Sequence, residues 1–410
     1  MLKKIIALAL IVFTSFMILA SCGKNDGGSG DNNSSMTLYV YNWGEYISDG
    51  SEGSLDVNAE FEKYCREVLG KSIKVNYSTY SSNEDLYSKI SSGTVSYDVI
   101  VPSDYMIARL AAEGLIMKIN PAETVENYQY IDDQFKGLYF DEKNEYCVPY
   151  TYGTVGIIYN TKMVSEEDTG SWALMWNEKY KGSILQFNNP RDAFGTAHFY
   201  QGTSVNSEKE EEWRSAKELL KKQKEIIQGY VMDEVFNKME SGSAAIAPYY
   251  AGDFFTMYEE NPDLAFFYPK EGANVFVDAM CVPANSQHKE LALEYINFML
   301  NEEIAIANAE EICYASPNKL VYENEDYAAD MTEIHPDAMA ILYDFDMEKM
   351  EYFHDLPENI RNLQNELWEE FKIESNVGGK VFIICIVIVA AVAVFFVIRF
   401  FVKKRREAAM

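Results

Sequence analysis

The chain has 410 residues and a net charge of −29 at neutral pH, from 64 acidic and 35 basic side chains. A hydrophobic fraction of 48% supports sizeable cores, so the length fits two ordinary domains or one large one. The acidic balance disfavours nucleic acid and anionic ligands as partners and favours cations. With four histidines and no paired metal-binding motif, the sequence predicts neither a metal site nor a cofactor.

The N-terminus predicts a secretion signal followed by a tether. Lys3 and Lys4 precede an apolar run, which is the pattern of a signal peptide over residues 1–21. The small residues before Cys22 resemble a lipoprotein processing site and predict a lipid on this cysteine; the alternative is an ordinary signal peptide with a chance cysteine. Residues 22–36 are rich in Gly, Ser and Asn, which predicts a flexible linker.

Strand and helix patterns then alternate. Strand patterns occur at 37–41, 72–77 and 97–101, and helical spacing at 55–69, 83–91 and 104–114. This β-α-β-α-β order predicts an open, largely parallel sheet with helices on both faces. A second unit begins near residue 151, with strands predicted at 153–160, 182–188, 243–250, 264–269 and 274–284. Helices are predicted at 207–227, 287–300, 302–310, 336–350 and 358–373.

The C-terminus predicts a membrane-spanning helix at 381–402. Residues 381–398 contain no charge and no glycine, and the run is long enough to cross a bilayer. The basic residues at 403–406 predict a cytoplasmic tail at 403–410. A buried core helix is the alternative. The predicted localisation is therefore the bacterial cell membrane, with the folded part outside, lipid-anchored at Cys22 and held by the spanning helix.

Four cysteines lie in the predicted ectodomain, namely Cys65, Cys147, Cys281 and Cys313. Four cysteines allow three pairings, and the sequence does not choose among them. Their wide and irregular spacing fits buried free thiols at least as well as a disulfide framework.

Two aromatic loops indicate a ligand crevice. In doubly wound sheets, ligands bind beyond the carboxyl ends of strands where the winding reverses. NWGEY follows the first predicted strand and PSDY follows the third, so Trp43, Tyr46, Ser103 and Tyr105 are expected around one crevice. The alternative is that these aromatic side chains cover a core.

Polar residues recur at strand ends in the second half: Asn189 and Asp192, then Tyr249, Tyr250 and Asp253. Asp278 interrupts an otherwise apolar strand, where a carboxylate is costly unless it is paired or hydrated. We therefore predict that Asp278 faces a ligand; a local hydrogen bond or salt bridge is the alternative. No phosphate loop, nucleophile elbow or catalytic triad pattern is present, so the chain is not predicted to be an enzyme.

The segments YNWGEY, VNYSTYSSNEDLYSKI, YDVIVPSDYMIARLAAEGLI, VPYTYGTVGIIYN, NPRDAF, FVDAMCVPANSQHKELALEYINFML and YASPN resemble the spermidine/putrescine-binding proteins of bacterial ABC importers. The resemblance covers roughly residues 37–320 and continues more loosely to about 373. It implies an α/β, two-lobed periplasmic-binding-protein fold of type II with the ligand between the lobes. Lobe 1 would comprise 37–150 and 276–375, and lobe 2 would comprise 151–275.

The resemblance also implies a set of ligand contacts: Trp43, Gly44 and Tyr46 in the first loop, Ser103 and Tyr105 in the second, Asp192 and Asp278 as partners of ammonium groups, and Tyr249, Phe276 and Tyr314 as aromatic contacts. Asn189 belongs to the same set, but the family often has Asp at this position. The missing carboxylate favours a diamine or a differently placed third ammonium. The last contact of the family is not aligned, and His354 and its neighbours are candidates.

The function implied by the resemblance is that of an extracytoplasmic polyamine-binding subunit, which delivers its ligand to permease subunits with a cytoplasmic ATPase. One alternative is a membrane-fixed polyamine sensor, suggested by the predicted span although the tail is too short for a signalling domain. Another is a binding protein of the same fold for a different cationic solute.

Overall fold

A computed structural model describes residues 36–374. The predictions for the signal peptide, for Cys22, for the linker up to residue 35, and for 381–402 and 403–410 lie outside the described residues. Met36 is the first residue of the first described strand.

Ten strands of the described chain form one mixed sheet. Its order is β2-β1-β3-β9-β4-β7-β5-β6, with β8 paired to β4 and β10 paired to β9. The strands are β1 Met36–Trp43, β2 Ile73–Tyr80, β3 Val99–Ile100, β4 Cys147–Asn160, β5 Ile184–Phe187, β6 Ile227–Val231, β7 Ile246–Tyr250, β8 Leu264–Phe267, β9 Ala273–Cys281 and β10 Met350–Tyr352.

Fourteen α-helices lie between and after these strands within residues 36–374. They are α1 Val57–Glu67, α2 Asn83–Ser91, α3 Asp104–Ala112, α4 Pro121–Thr124, α5 Pro190–Gln201, α6 Glu210–Gln223, α7 Glu234–Glu240, α8 Ala251–Glu260, α9 Lys289–Met299, α10 Glu302–Ile312, α11 Lys319–Tyr322, α12 Glu325–Ile334, α13 Ala338–Tyr343 and α14 Glu358–Glu374. The fold is a mixed α/β, two-lobed solute-binding fold, as predicted; the lobe boundaries stay a prediction.

Two long antiparallel strands connect the halves of the sheet. Residues Cys147–Thr154 of β4 pair with β9, and the rest of β4 pairs with β7 and β8. The register of the β4–β9 ladder shifts between Pro149 and Thr151, which marks a bulge. All nine residues of β9 are buried. A polar side chain on β9 therefore lies in the interior of the protein rather than at its surface.

The predictions of fold class and localisation are wrong where they include a spanning helix. Between residues 36 and 374, no helix is long and apolar enough to cross a membrane. The last described helix, α14, has 17 residues and a sequence rich in Glu, with Arg361 and Lys372. At 1.5 Å per residue it is shorter than the roughly 30 Å hydrocarbon core, and its charges would be costly there. The predicted segment 381–402 itself lies outside the described residues.

The helix predicted at 336–350 is also wrong in its second half. Helix α13 ends at Tyr343, a 3₁₀ turn follows at Met347–Lys349, and the chain then enters β10. Met350 pairs with Ala273 and Tyr352 with Val275 of β9. A distant strand therefore determines the structure of this segment, and local helical spacing does not show such a partner.

Candidate functional site

All eleven predicted contact residues line one cleft, which encloses about 840 Å³ of empty space, part of it open to solvent. They are Trp43, Gly44, Tyr46, Ser103, Tyr105, Asn189, Asp192, Tyr249, Phe276, Asp278 and Tyr314. Their role as ligand contacts stays a prediction, but the structure brings them together from strands and helices far apart in sequence.

The loop after β1 is fixed by the buried side chain of Asn42. Its Nδ2 donates to the carbonyl of Tyr46 over 3.3 Å, and its Oδ1 accepts from the backbone N–H of Trp43 at 2.8 Å. Gly44 sits against Asp233, where a Cβ atom would come within 3.0 Å of a carboxylate oxygen. The loop thus presents the Trp43 ring beside Tyr80, with ring centroids 4.6 Å apart.

Tyr46 connects this loop to the interior of the cleft. Its hydroxyl donates to Asp278 Oδ2 at 2.7 Å and lies 2.6 Å from Thr151 Oγ1 on β4. The ring meets Tyr314 edge-on at 5.0 Å. Burial, and then the neighbouring Asp278 carboxylate, raise the pKa of Tyr46 well above its usual value. Tyr46 therefore stays a neutral donor that holds one oxygen of Asp278.

The other oxygen of Asp278 has no partner. Asp278 is 3% exposed, and its Oδ1 is buried without a hydrogen bond. No described basic side chain forms an ion pair with it. Burial raises the pKa of Asp278 to about 6; the nearby Ser103 side chain, which makes no hydrogen bond of normal geometry to Oδ1, and Tyr46 oppose this shift, and the charge of Asp192 adds to it. The cleft thus contains a buried carboxylate oxygen that lacks a hydrogen-bond donor, which is energetically costly.

The Asp192 carboxylate accepts more hydrogen bonds from the protein than the Asp278 carboxylate does. Asn189 caps α5, accepting from the backbone N–H of Asp192 at 2.8 Å and donating to its Oδ2 at 2.7 Å. The hydroxyl of Tyr250 donates to the same oxygen at 2.9 Å. Burial raises the pKa of Asp192, while these two donors and the nearby Arg191 lower it. Asn189 therefore serves as a helix cap and orients Asp192.

The aromatic wall from β7 differs from the predicted one. Tyr249 is only 2% exposed, with its ring stacked on Phe187 at 5.5 Å. Its neighbour Tyr250 carries the hydroxyl that reaches Asp192, and its ring meets Phe276 edge-on at 5.4 Å. Although both tyrosines line the cleft, Tyr250 makes the polar contact to the carboxylate.

Phe353 lines the cleft where His354 was a candidate. The side chain of His354 is exposed and stacks on Tyr139, with centroids 4.2 Å apart. Its carbonyl accepts from the buried Arg191 at 2.9 Å, and the Arg191 guanidinium lies 4.5 Å from the centre of the Phe353 ring. The structure therefore places Phe353 at this end of the cleft and His354 outside it.

Five further carboxylates line the cleft without belonging to the predicted set: Glu45, Glu84, Asp104, Asp233 and Asp253. Glu84 accepts from the Tyr105 hydroxyl at 3.1 Å. Burial raises the pKa of Glu84, Asp104, Asp233 and Asp253. Asp253 had a signal in the sequence, its position after a strand end, whereas Glu84 occurs in the first turn of α2, where acidic residues are common. Within residues 36–374, no group of three or more His, Cys, Asp or Glu side chains is arranged so that it could hold a metal ion.

Comparison with known proteins places the chain in a family. Residues 58–333 match the family model of bacterial extracellular solute-binding proteins. The spermidine/putrescine-binding periplasmic protein of Escherichia coli K12 is 33% identical over 322 residues, which cover 78% of this chain and 88% of that protein. The chain therefore belongs to the bacterial extracellular solute-binding proteins. This family is one of transport proteins and is not an enzyme family.

Solved structures agree with this assignment. A spermidine/putrescine ABC transporter protein from Listeria monocytogenes, described as putative, superposes with a TM-score of 0.74 at 31% identity, covering 83% of this chain and all of that one. The substrate-binding protein PotD from Streptococcus pneumoniae gives 0.64 at 31% identity, covering 83% of this chain and 99% of that chain. The resemblance inferred from the sequence is thereby confirmed.

Proposed function

We propose that this cleft binds a polyamine such as putrescine or spermidine. The observation that carries the proposal is the buried Oδ1 of Asp278, which has no hydrogen-bond partner and lies in a cleft with a second carboxylate, Asp192. An ammonium group supplies both a positive charge and N–H donors, so it satisfies such a carboxylate better than a neutral solute does.

The aromatic walls suit the rest of such a ligand. The methylene chain of a polyamine needs apolar contact, and its ammonium groups are attracted to aromatic faces by about 0.5–2 kcal/mol each. Trp43, Tyr250, Phe276 and Tyr314 supply these faces in the same cleft as the two carboxylates. The cleft thus combines negative groups with aromatic surface, and a chain of ammonium and methylene groups requires both.

The biological role that fits this ligand is the extracytoplasmic binding subunit of an ABC importer. In this role, lobe 1 (37–150 and 276–375) and lobe 2 (151–275) close on the ligand and present it to permease subunits driven by a cytoplasmic ATPase. The names of the E. coli, Listeria and Streptococcus proteins support the role, since each includes spermidine and putrescine. No catalytic step is part of this function.

Titration calorimetry on the purified full-length protein tests the ligand. We expect heat with putrescine or spermidine, and much weaker binding of 1-aminobutane, because it has a single ammonium group and leaves one carboxylate unmatched. The absence of both heat and thermal stabilisation with every polyamine would remove the ligand assignment, while the family membership would remain.

Lipid attachment at Cys22 is a separate proposal, which rests on the small residues that precede it. Metabolic labelling with an alkyne fatty acid should mark the wild-type protein and leave Cys22→Ser unlabelled. Equal labelling of both proteins would contradict attachment at this residue.

A further inference from the structure

Two cysteines face each other across the strands that join the halves of the sheet. Cys147 on β4 and Cys281 on β9 are direct partners in the antiparallel register. Both thiols are free in this structure, and the two residues are 3% and 0% exposed. Directly opposed residues of an antiparallel pair project on the same face, with Cβ atoms about 4.5–5.5 Å apart. Such pairs have Cα atoms about 4.5–5.5 Å apart, within the range that a disulfide spans, and closing the bond would draw the Cβ atoms to about 3.5–4.5 Å.

The environment of Cys147 agrees with this proximity. The neighbouring Cys281 thiol is the largest cause that raises the pKa of Cys147, followed by burial. The Cys147 thiol also lies 3.5 Å from Asp141 Oδ2. Each thiol therefore has the other as a near neighbour, inside a ladder that excludes water.

The remaining two cysteines have different surroundings. Cys65 is buried on α1, where the charges of Glu294 and Lys71 act on its thiol. Cys313 follows α10 in a left-handed conformation, and its thiol interacts with Glu259 and Thr256. The sequence alone allows three pairings of the four cysteines, whereas the structure brings only one pair into register among residues 36–374.

We propose that Cys147 and Cys281 form a disulfide that ties β4 to β9, while Cys65 and Cys313 remain thiols. The proposal requires an oxidising compartment, which the extracytoplasmic location of the proposed function provides. It does not depend on which solute the cleft binds.

The chemistry is thiol–disulfide exchange with an oxidised dithiol oxidoreductase or glutathione disulfide. The thiolate of one cysteine attacks a sulfur of the acceptor and forms a mixed disulfide, and the second thiolate displaces the acceptor sulfur. One S–S bond forms in this chain, one breaks in the acceptor, and the two thiol hydrogens end on the reduced acceptor. Because both thiols are buried in the folded protein, exchange takes place before the β4–β9 ladder closes or during its local opening.

The bond would fix one end of the connecting strands. Cys281 is three positions beyond Asp278 on β9, and Cys147 is four positions before Thr151 on β4. The cross-link would close a loop that contains all of the predicted lobe 2, and long loops gain the most from closure in the chain-entropy account. We expect the oxidised protein to melt about 5–10 °C above the reduced protein.

Peptide mapping tests the pairing. Full-length protein is isolated from the extracytoplasmic fraction with free thiols blocked by an alkylating agent, and a reduced sample is refolded with glutathione disulfide. We expect a peptide linking Cys147 to Cys281, with the intact protein lighter by two hydrogen atoms. Cys147→Ala and Cys281→Ala should each abolish the link, whereas the matched control Cys65→Ala should keep it.

Two results would overturn the proposal: no linked peptide in either sample, or a link that involves Cys65 or Cys313. Both are read on the wild-type chain, so they hold even if an alanine variant fails to fold. Polyamine binding measured on the fully reduced protein separates this outcome from a failure of the proposed function.

Discussion

Asp278 and Asp192 line the same cleft, yet their environments differ. Asp278 lies on a fully buried strand, with one oxygen bonded by Tyr46 and the other without a partner. Asp192 is partly exposed in the first turn of α5, and its Oδ2 accepts from Asn189 and Tyr250. The protein thus satisfies Asp192 largely by itself and leaves Asp278 dependent on a ligand. Asp278 should therefore dominate the affinity.

The most direct test of the leading role of Asp278 is the substitution Asp278→Asn. The substitution leaves the ammonium of a bound ligand buried without its counter-charge, which typically costs about 3–5 kcal/mol. We expect affinity for putrescine or spermidine to fall about 100-fold or more in calorimetry. Asp326→Asn, which removes the same charge from the exposed surface of α12, is the matched control and should bind normally. Equal affinity of the two variants would contradict the leading role of Asp278.

The same substitution should stabilise the empty protein. The pKa of Asp278 rises from 3.8 to about 6 on folding, so folding disfavours its ionised form. The empty protein therefore loses stability as the pH rises from about 4 to about 6, and that loss persists at neutral pH. Asp278→Asn removes a penalty of up to about 3 kcal/mol, and we expect a higher melting temperature without ligand at pH 7. A lower one would show that Asp278 stabilises the fold.

Acidification should weaken binding through the same carboxylate. Only the ionised form of Asp278 pairs well with an ammonium, and with a pKa of about 6 most of it is protonated at pH 5. We expect affinity to fall about tenfold between pH 7 and pH 5. In Asp278→Asn this pH dependence should be much reduced. A wild-type affinity that stays constant over this range would contradict the expectation.

Asp192→Asn should have a smaller effect, because the helix start and the donors from Asn189 and Tyr250 persist around the amide oxygen. We expect affinity to fall about fivefold to tenfold, as for a charged hydrogen bond replaced by a neutral one. If this loss exceeded that of Asp278→Asn, the order inferred from the two environments would be reversed.

The smallest expected loss of affinity comes from a substitution that acts on Asp278 indirectly, through Tyr314 and Tyr46. A Cβ atom at Gly252 would come within 2.3 Å of the Tyr314 ring, which contacts Tyr46, the donor to Asp278. Gly252→Ala should displace that ring and weaken binding about threefold, with some loss of stability. Gly229→Ala on β6 is the matched control, because no atom lies within 4 Å of its added Cβ. The melting temperature and affinity of both variants should be measured together.

The sequence predicts the order of strands and helices in the first half, because short local patterns determine it. The predicted contact residues do lie in the cleft, because the family resemblance that indicates them is strong. It does not distinguish Tyr249 from Tyr250. Adjacent residues of a strand face opposite sides, and with two tyrosines the composition does not show which hydroxyl contacts Asp192. Glu84 is missed for a similar reason, since its place at the start of α2 has an ordinary explanation.

The continuity of the sheet has a mechanical consequence. Neighbouring strands are hydrogen-bonded from β2 at one edge to β6 at the other, so the lobes do not swing on loose connections. Opening the cleft would have to bend β4 and β9, where the bulge between Pro149 and Thr151 gives β4 a place to curve, and α14, which packs on α6, would have to accommodate the motion. The stiffness of these strands and the packing of α14, rather than the length of a linker, would then set how readily the protein opens.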